Sequence, residues 1–284
     1  MTRCVMVRVA AILLVVAAAV LAAAWIALRL RRVPKRRRRR ERSSLPVVLA
    51  HGMFGFDSLQ VRGRKVEYFR GVSRALKRDG VEVHVPRLST AGSVKSRSLE
   101  LAAFVRSLDV PKVHLIAHSM GGLDARRAIS KGGLAPSVAS LVTVGAPHRG
   151  TPLAGAGAKI LPARAARALR LDGVADLVPS VTARFNRNVR NVRGVDYCCV
   201  VGAPRGIVPT HLHPLLVPGF LWMRETIGAN DGVVPSESQE WGEILAELDA
   251  DHWAQVGWST KSKRRFDAPG FYVDLVRELR SRNA

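Results

Sequence analysis

The sequence predicts an α/β fold in which a mainly parallel sheet is flanked by helices. Three observations predict it. From Pro46 onward short apolar runs alternate with amphipathic segments, the pattern of strands joined by helical crossovers. In Val113–Gly122 an apolar run meets a small-residue turn carrying Ser119 and then passes into a helical pattern. The 284 residues, less a distinctive N-terminus, suffice for one domain with a full core.

Taken in order, the first element is Val9–Leu28, 20 residues without a charge and long enough as a helix to cross a bilayer core. Residues 1–28 are therefore expected to form a transmembrane anchor. Ten basic residues between Arg29 and Arg42 follow it, against two, Arg3 and Arg8, before or at its start. That asymmetry points to a single-pass anchor with the domain on the cytoplasmic side; the extracytoplasmic side is the second reading. A cleaved secretory signal competes, with Ala22–Ala24 as the cleavage site. It is opposed by the length of the apolar run and by the charge after it, which resists translocation. Residues 29–44 read as a solvated basic linker lying against anionic lipid.

Residues 45–284 then make the catalytic domain. Pro46–Ala50 is its first strand, a helix over Val66–Arg78 ends at Asp79-Gly80, and Val81–Val85 alternates as a strand. A helix over Ser98–Leu108 precedes the strand Lys112–Ala117; Ser140–Val144 and Asp196–Val201 are further strands. Phe271, Leu275 and Leu279 share one face of a C-terminal helix, Phe271–Arg280. Between the strands lies an insertion, about residues 151–195, where Arg164, Arg167 and Arg170 recur every third residue in a basic amphipathic helix. In a lipid hydrolase it would be a lid; an ordinary surface helix is the plain alternative.

Charge narrows the partners. The formal +23 is concentrated at the N-terminus: residues 1–42 hold 12 of the 45 basic side chains and one acid, Glu41. The rest of the excess is spread without aromatic-interleaved basic motifs, which argues for a basic surface and against a nucleic-acid reader. Cys4, Cys198 and Cys199 form neither a disulfide framework nor a metal-ligand spacing. The sequence leaves the oligomeric state open.

Ser119 carries the chemistry. A serine on a sharp strand-to-helix turn needs small neighbours two residues before and after it, and Ala117 and Gly121 hold those places. Its hydroxyl needs an imidazole to take the proton and a carboxylate to orient that imidazole. With chain order serine, acid, histidine, the base is His252: His148 comes too soon after the serine, and His211 and His213 precede the best acid. That acid is Asp231, in Asn230-Asp-Gly232, a tight turn expected to follow a strand directly. Asp249 and Asp251 lie on the histidine loop, where solvation is expected, and Asp196 begins a strand. An oxyanion hole needs two backbone N–H donors. Met120, after the nucleophile, supplies one, and Met53, in the glycine-bounded loop His51–Gly55, supplies the other. His51 is expected to brace that loop.

These pieces resemble the bacterial triacylglycerol lipases of the pseudomonad type, within the α/β-hydrolase superfamily. The resemblance is carried by Pro46–Asp57, His114–Gly122, Val144–Gly150, Ala183-Arg-Phe-Asn186 and Asn230-Asp-Gly232. It implies the α/β-hydrolase fold, Ser119, Asp231 and His252 as triad, Met53 and Met120 as oxyanion donors, and a lipid or other ester as substrate. Those lipases carry calcium beside the histidine loop, with an aspartate two residues after the histidine; here Ala254 and Trp258 stand where oxygen ligands would be. No metal and no cofactor are therefore expected. The leading expectation is an ester hydrolase, lipase or esterase. An acyltransferase with the same triad, and a noncatalytic membrane-tethered binding protein on this fold, are the alternatives.

Overall fold

The computed structural model describes residues 45–55, 58–61, 64–160, 172–206, 209, 211–259 and 266–282. The expected anchor, the basic linker before residue 45 and the basic helix around Arg164–Arg170 lie outside the described residues. Among the described residues no helix is long and apolar enough to cross a membrane.

The strands in chain order are β1 (Val47–Ala50), β2 (Ser58–Val61), β3 (Arg64–Glu67), β4 (Val83–His84), β5 (Val113–His118), β6 (Val138–Val144), β7 (Asp196–Gly202) and β8 (Glu243–Leu248). Six of them form one sheet in the order β4-β1-β5-β6-β7-β8, with every neighbouring pair parallel. β2 and β3 pair separately as an antiparallel hairpin. The helices that cover the sheet are α1 (Val72–Arg78), α2 (Val94–Arg106), α3 (Gly121–Lys131) and, at the C-terminus, Ala268–Arg282.

Strand alternation divides the core into two layers. Val47 and Leu49 of β1 pack with Ile116, Val142 and Val200 under α1 and the C-terminal helix, whose Leu76, Tyr272, Leu275 and Leu279 close that layer. Val48 and Ala50 face the other way, with Leu115, Ala117 and Leu141, against Leu101 of α2 and Ala125, Ala128 and Ile129 of α3. Both faces being covered, β1, β5 and β6 are buried at every position. That is why they read as continuous apolar runs in the sequence. Each fully buried Leu or Ile contributes on the order of 1.5–3 kcal/mol, which makes this central block the rigid base of the site.

The structure redraws several expected elements. The helix expected over Val66–Arg78 begins only at Val72, because Arg64–Glu67 is taken by the hairpin. The strand expected over Val81–Val85 shrinks to two residues. α2 starts at Val94, earlier than Ser98, because the Ser93 hydroxyl caps it by accepting from Ser96 N–H. β8 had no strand signature: Glu243-Ile-Leu-Ala-Glu-Leu248 is rich in helix formers and half exposed at the sheet edge, and pairing with β7 overrides that propensity. Two helices, Pro179–Asn188 and Val217–Thr226, were also unmarked.

The insertion is fastened to the body at its described ends. Asp176 accepts the Val94 N–H at 2.7 Å at the start of α2, and Thr151 N–H donates to Leu177 O. Arg126 of α3, buried to 1% exposure, donates to Asn186 Oδ1 at 2.8 Å and Val189 O at 3.1 Å and lies 3.3 Å over the Trp241 ring. Asn186 in turn donates to His148 O. The Arg-Phe-Asn and Gly-Ala-Pro-His motifs thus meet each other through a buried arginine.

Candidate active site

Ser119, Asp231 and His252 come together at the carboxyl edge of the parallel sheet, where open α/β sheets place their sites. Ser119 directly follows β5 in a left-handed conformation, φ 56°, a strain of about 1–2 kcal/mol for a residue with a Cβ. Its N–H is held by Val144 O at 2.9 Å. Gly121 is required here, because a Cβ would lie 2.8 Å from Ala50 O and 2.9 Å from His51 O. Ala117 has no such conflict: its side chain points into the layer under α2 and α3, so the methyl group that departs from the usual glycine is simply core.

The Ser119 hydroxyl lies 2.9 Å from His252 Nε2, and His252 Nδ1 lies 2.7 Å from Asp231 Oδ2. With an ionised Asp231 the proton sits on Nδ1, which donates to the carboxylate, and the bare Nε2 accepts from the serine. Asp231 is fully buried, and both its oxygens are occupied. Oδ1 accepts the N–H groups of Val233 and Val234 at 3.0 and 2.7 Å, and Oδ2 accepts a second donor, Gln255 Nε2, at 3.0 Å. Four donors, His252 included, thus fix the orientation of one carboxylate. Asp231 does not directly follow a strand, as the sequence suggested; it follows the helix Val217–Thr226, in a tight loop closed by the Asn230–Pro235 bridge. That loop is fixed to the base, since His252 N–H donates to Asp231 O at 2.9 Å.

Asp251 is a second correction. It is buried, and it clamps the histidine loop: Oδ1 accepts from Trp253 and Ala254 N–H at 2.9 and 2.8 Å, and Oδ2 from His213 N–H at 2.8 Å. Burial pushes its carboxyl up, and those three N–H groups draw it back. Asp249 is the exposed one of the pair and holds Arg205 N–H and His211. The surroundings of His252 do not fit a calcium ion. The adjacent loop carboxylate, Asp251, has both oxygens committed to backbone donors, and Ala254 offers a methyl group.

The opposite wall is the loop His51–Gly55. His51 braces it as expected: Nδ1–H donates to Gly52 O, and Nε2 accepts from Leu88 N–H. Burial, then the charge of Arg97, lowers its pKa to about 3, so it stays neutral. Arg97, fully buried, was not anticipated. It pairs with Asp124 at 2.8 Å, donates to His51 O at 2.7 Å and Gly52 O at 3.4 Å, and reaches Ser89 O. Burial pushes the Asp124 carboxyl up and the arginine opposes it. Within the loop Phe54 N–H and Gly55 N–H are paired. The N–H groups of Met53 and Met120 donate to no acceptor among the described residues, and the side chains of both pack in one small cluster with Val94 and Leu123.

Sequence reasoning also missed Tyr68, His118 and Gln255. Gln255 stands three residues after His252 in a short helical turn, and its side chain threads between Gly145 and Gly202 at the ends of β6 and β7, where a Cβ at either glycine would overlap it. His148 is a support: Arg126 donates toward Nδ1 and the other nitrogen reaches Thr143 Oγ1 at 3.0 Å. Burial, then the nearby arginines, hold it well below the ordinary histidine value. Cys198 and Cys199 are buried free thiols. A cavity of about 500 Å³ opens beside Asn230, lined by Ala203, Phe220, Arg224 and Leu248 among others. Ser119, Asp231 and His252 are not among its walls, so chemistry rather than cavity size marks the site.

Residues 47–259 match the Alpha/beta hydrolase family, and the chain belongs to that family. It is 40% identical over 114 residues to a triacylglycerol lipase of Vibrio cholerae, a stretch that covers 38% of this chain and 34% of that protein. It is 35% identical over 114 residues to one of Pseudomonas fragi, covering 38% and 36%. The chain spans about a third of the length of these curated relatives. Among solved structures, a metagenomic carboxyl esterase matches with TM-score 0.69 at 19% identity, over 84% of this chain and 76% of that one. The mature lipase of Bacillus licheniformis matches with TM-score 0.66 at 19% identity, over 83% and 91%. At that identity the two share the fold.

Proposed function

We propose that the protein is a serine hydrolase of carboxylic esters, a lipase or esterase, working through an acyl-enzyme on Ser119. The observation that carries the reading is the continuous chain Ser119–His252–Asp231, at 2.9 and 2.7 Å. His252 Nε2 takes the hydroxyl proton as Ser119 Oγ attacks the ester carbonyl carbon, and Asp231 stabilises the imidazolium. The carbonyl oxygen becomes an oxyanion that the unengaged N–H groups of Met53 and Met120 receive. The tetrahedral intermediate collapses as His252 returns the proton to the alkoxide oxygen, releasing the alcohol and leaving Ser119 acylated. His252 then takes a proton from water, the hydroxide oxygen attacks the acyl carbon, and a second collapse frees the carboxylic acid and restores the serine hydroxyl.

The similarity to triacylglycerol lipases over 114 residues supports a lipid acyl ester as substrate. The uncharged run Val9–Leu28 and the ten basic residues after it support a retained anchor that holds the domain at an anionic membrane surface, on the cytoplasmic side; protease access to the domain in intact cells tests that side. The test of the chemistry is fluorophosphonate labelling of the protein beside Ser119→Ala, followed by p-nitrophenyl esters of increasing chain length. Labelling confined to the unmodified protein is expected, with kcat/KM in Ser119→Ala lower by at least roughly 10³-fold. Equal labelling of both would sink the assignment. A rate maximum at short acyl chains would mark an esterase, and one at long chains a lipase.

A further inference from the structure

We infer that Tyr68 and His118 are positioning residues that hold the oxyanion loop, the nucleophile turn and the base loop in one register, an inference that rests on ester hydrolysis at Ser119. Tyr68 follows β3, and His118 is the last residue of β5, directly before the serine. Gly52 N–H donates to Tyr68 Oη at 3.3 Å, Tyr68 Oη lies 2.7 Å from His118 Nδ1, and His118 Nε2 lies 2.9 Å from the carbonyl oxygen of His252. Each member belongs to a different wall of the site.

The direction of every proton in this chain is fixed from its ends. A backbone N–H can only donate and a backbone carbonyl can only accept. His118 must therefore carry its proton on Nε2, facing the His252 carbonyl, and its bare Nδ1 accepts from the Tyr68 hydroxyl. The other tautomer would set two lone pairs against each other at the His252 carbonyl. His118 is fully buried, and burial, then the neighbouring His252, holds it well below the ordinary histidine value, so this polarity persists. The His252 ring also rests on the His118 ring, centroids 4.6 Å apart. The base is thus held from behind by its carbonyl and ring, while Asp231 holds it from the side.

A misplacement of about 1 Å in a reacting group costs on the order of a hundredfold in rate, so the loss of these contacts should appear in kcat. The full chain in detergent is assayed with p-nitrophenyl butyrate as wild type, Tyr68→Phe, His118→Phe, His118→Gln and Ser119→Ala, with thermal unfolding measured in parallel. Tyr68→Phe is expected to lower kcat roughly tenfold with KM held within about twofold. His118→Phe should lower kcat about a hundredfold. His118→Gln, whose amide can still donate to the His252 carbonyl, should recover roughly tenfold of that loss. Unchanged kcat in both phenylalanine variants, a loss confined to KM, or no recovery with glutamine overturns the inference. Should His118→Phe fail to fold, Tyr68→Phe, which removes one oxygen, decides the matter alone. An inactive wild type, or Ser119→Ala as active as wild type, overturns the functional reading and this inference with it. An inactive Ser119→Ala beside unaffected Tyr68→Phe overturns the positioning role only.

Discussion

The two walls around Ser119 are held by side chains of opposite charge. On the side of Met53 a cation grips the loop carbonyls: Arg97 donates to His51 O and Gly52 O, and among the described residues the Met53 N–H has no acceptor. On the side of His252 the loops are held by their N–H groups: Asp231 takes those of Val233 and Val234, and Asp251 takes those of His213, Trp253 and Ala254. In the loop by Met53 the amides of Gly52, Phe54 and Gly55 are already paired, and a cation on the carbonyls holds the loop without drawing on the Met53 N–H. On the other wall the N–H groups go to two buried carboxylates, Asp231 and Asp251.

The sharpest way to break this contrast is at Arg97. Arg97→Met removes the grip on the carbonyls and leaves Asp124 buried without its partner, and is expected to cost about 3–5 kcal/mol in urea unfolding. The double variant Arg97→Met/Asp124→Leu should recover most of that stability but not kcat, because the loop carbonyls still lack their donor. Recovery of both would mean that Arg97 serves the core alone.

Acid separates the walls next. His51, His118 and His148 are buried and neutral, with folded pKa values below the ordinary 6.5. An unfolded chain takes up these protons below about pH 6.5 and the folded one does not, so stability falls as pH falls. Each histidine contributes about 1.4 kcal/mol per pH unit until its own folded value is reached, about 3 for His51. Asp251 works the other way: its pKa is raised on folding, so lowering the pH relieves the cost of burying its charge and adds nothing to the decline. Unfolding free energies between pH 7 and 4.5 should therefore decline from pH 6.5, above the carboxylate range, and His51→Gln should flatten the slope. A curve flat down to pH 5 would refute the assignment.

A smaller effect tests the carboxylate wall. Gln255→Leu removes one of the four donors on Asp231 while keeping most of the volume between Gly145 and Gly202, and kcat is expected to fall roughly tenfold, with KM little changed. The smallest expected change is a control away from both walls. Arg277→Ala breaks the exposed pair with Asp79 and should leave both the urea midpoint and kcat at the wild-type values.

Legibility in the sequence divides along physical lines. β1, β5, β6 and most of β7 could be read because both of their faces are buried, which makes them predominantly apolar. The turn at Ser119 could be read because it demands small residues at local spacing; Met53 and Met120 as oxyanion donors belong to the proposed function. β8 could not, because an edge strand of helix-forming residues is decided by its neighbour. Arg97, Tyr68, His118 and Gln255 could not either. Their roles depend on contacts made across 45, 16, 134 and 24 residues of chain, and nothing in their immediate neighbours distinguishes them from surface or core residues.

By itself, then, the sequence determined the parallel α/β architecture and the sharp turn at Ser119, because these are set by short-range sterics and by burial on both faces of a strand, and it supplied the order serine, acid, histidine on which the proposed function rests. Only the tertiary structure decided which groups hold those residues in place. It made Asp251 a buried clamp where solvation was expected, put Asp231 after a helix, and joined three loops through Tyr68 and His118. A hydrogen bond between distant loops is fixed by where the sheet delivers them, and the carboxyl ends of β1, β5, β7 and β8 meet only once all the strands are paired.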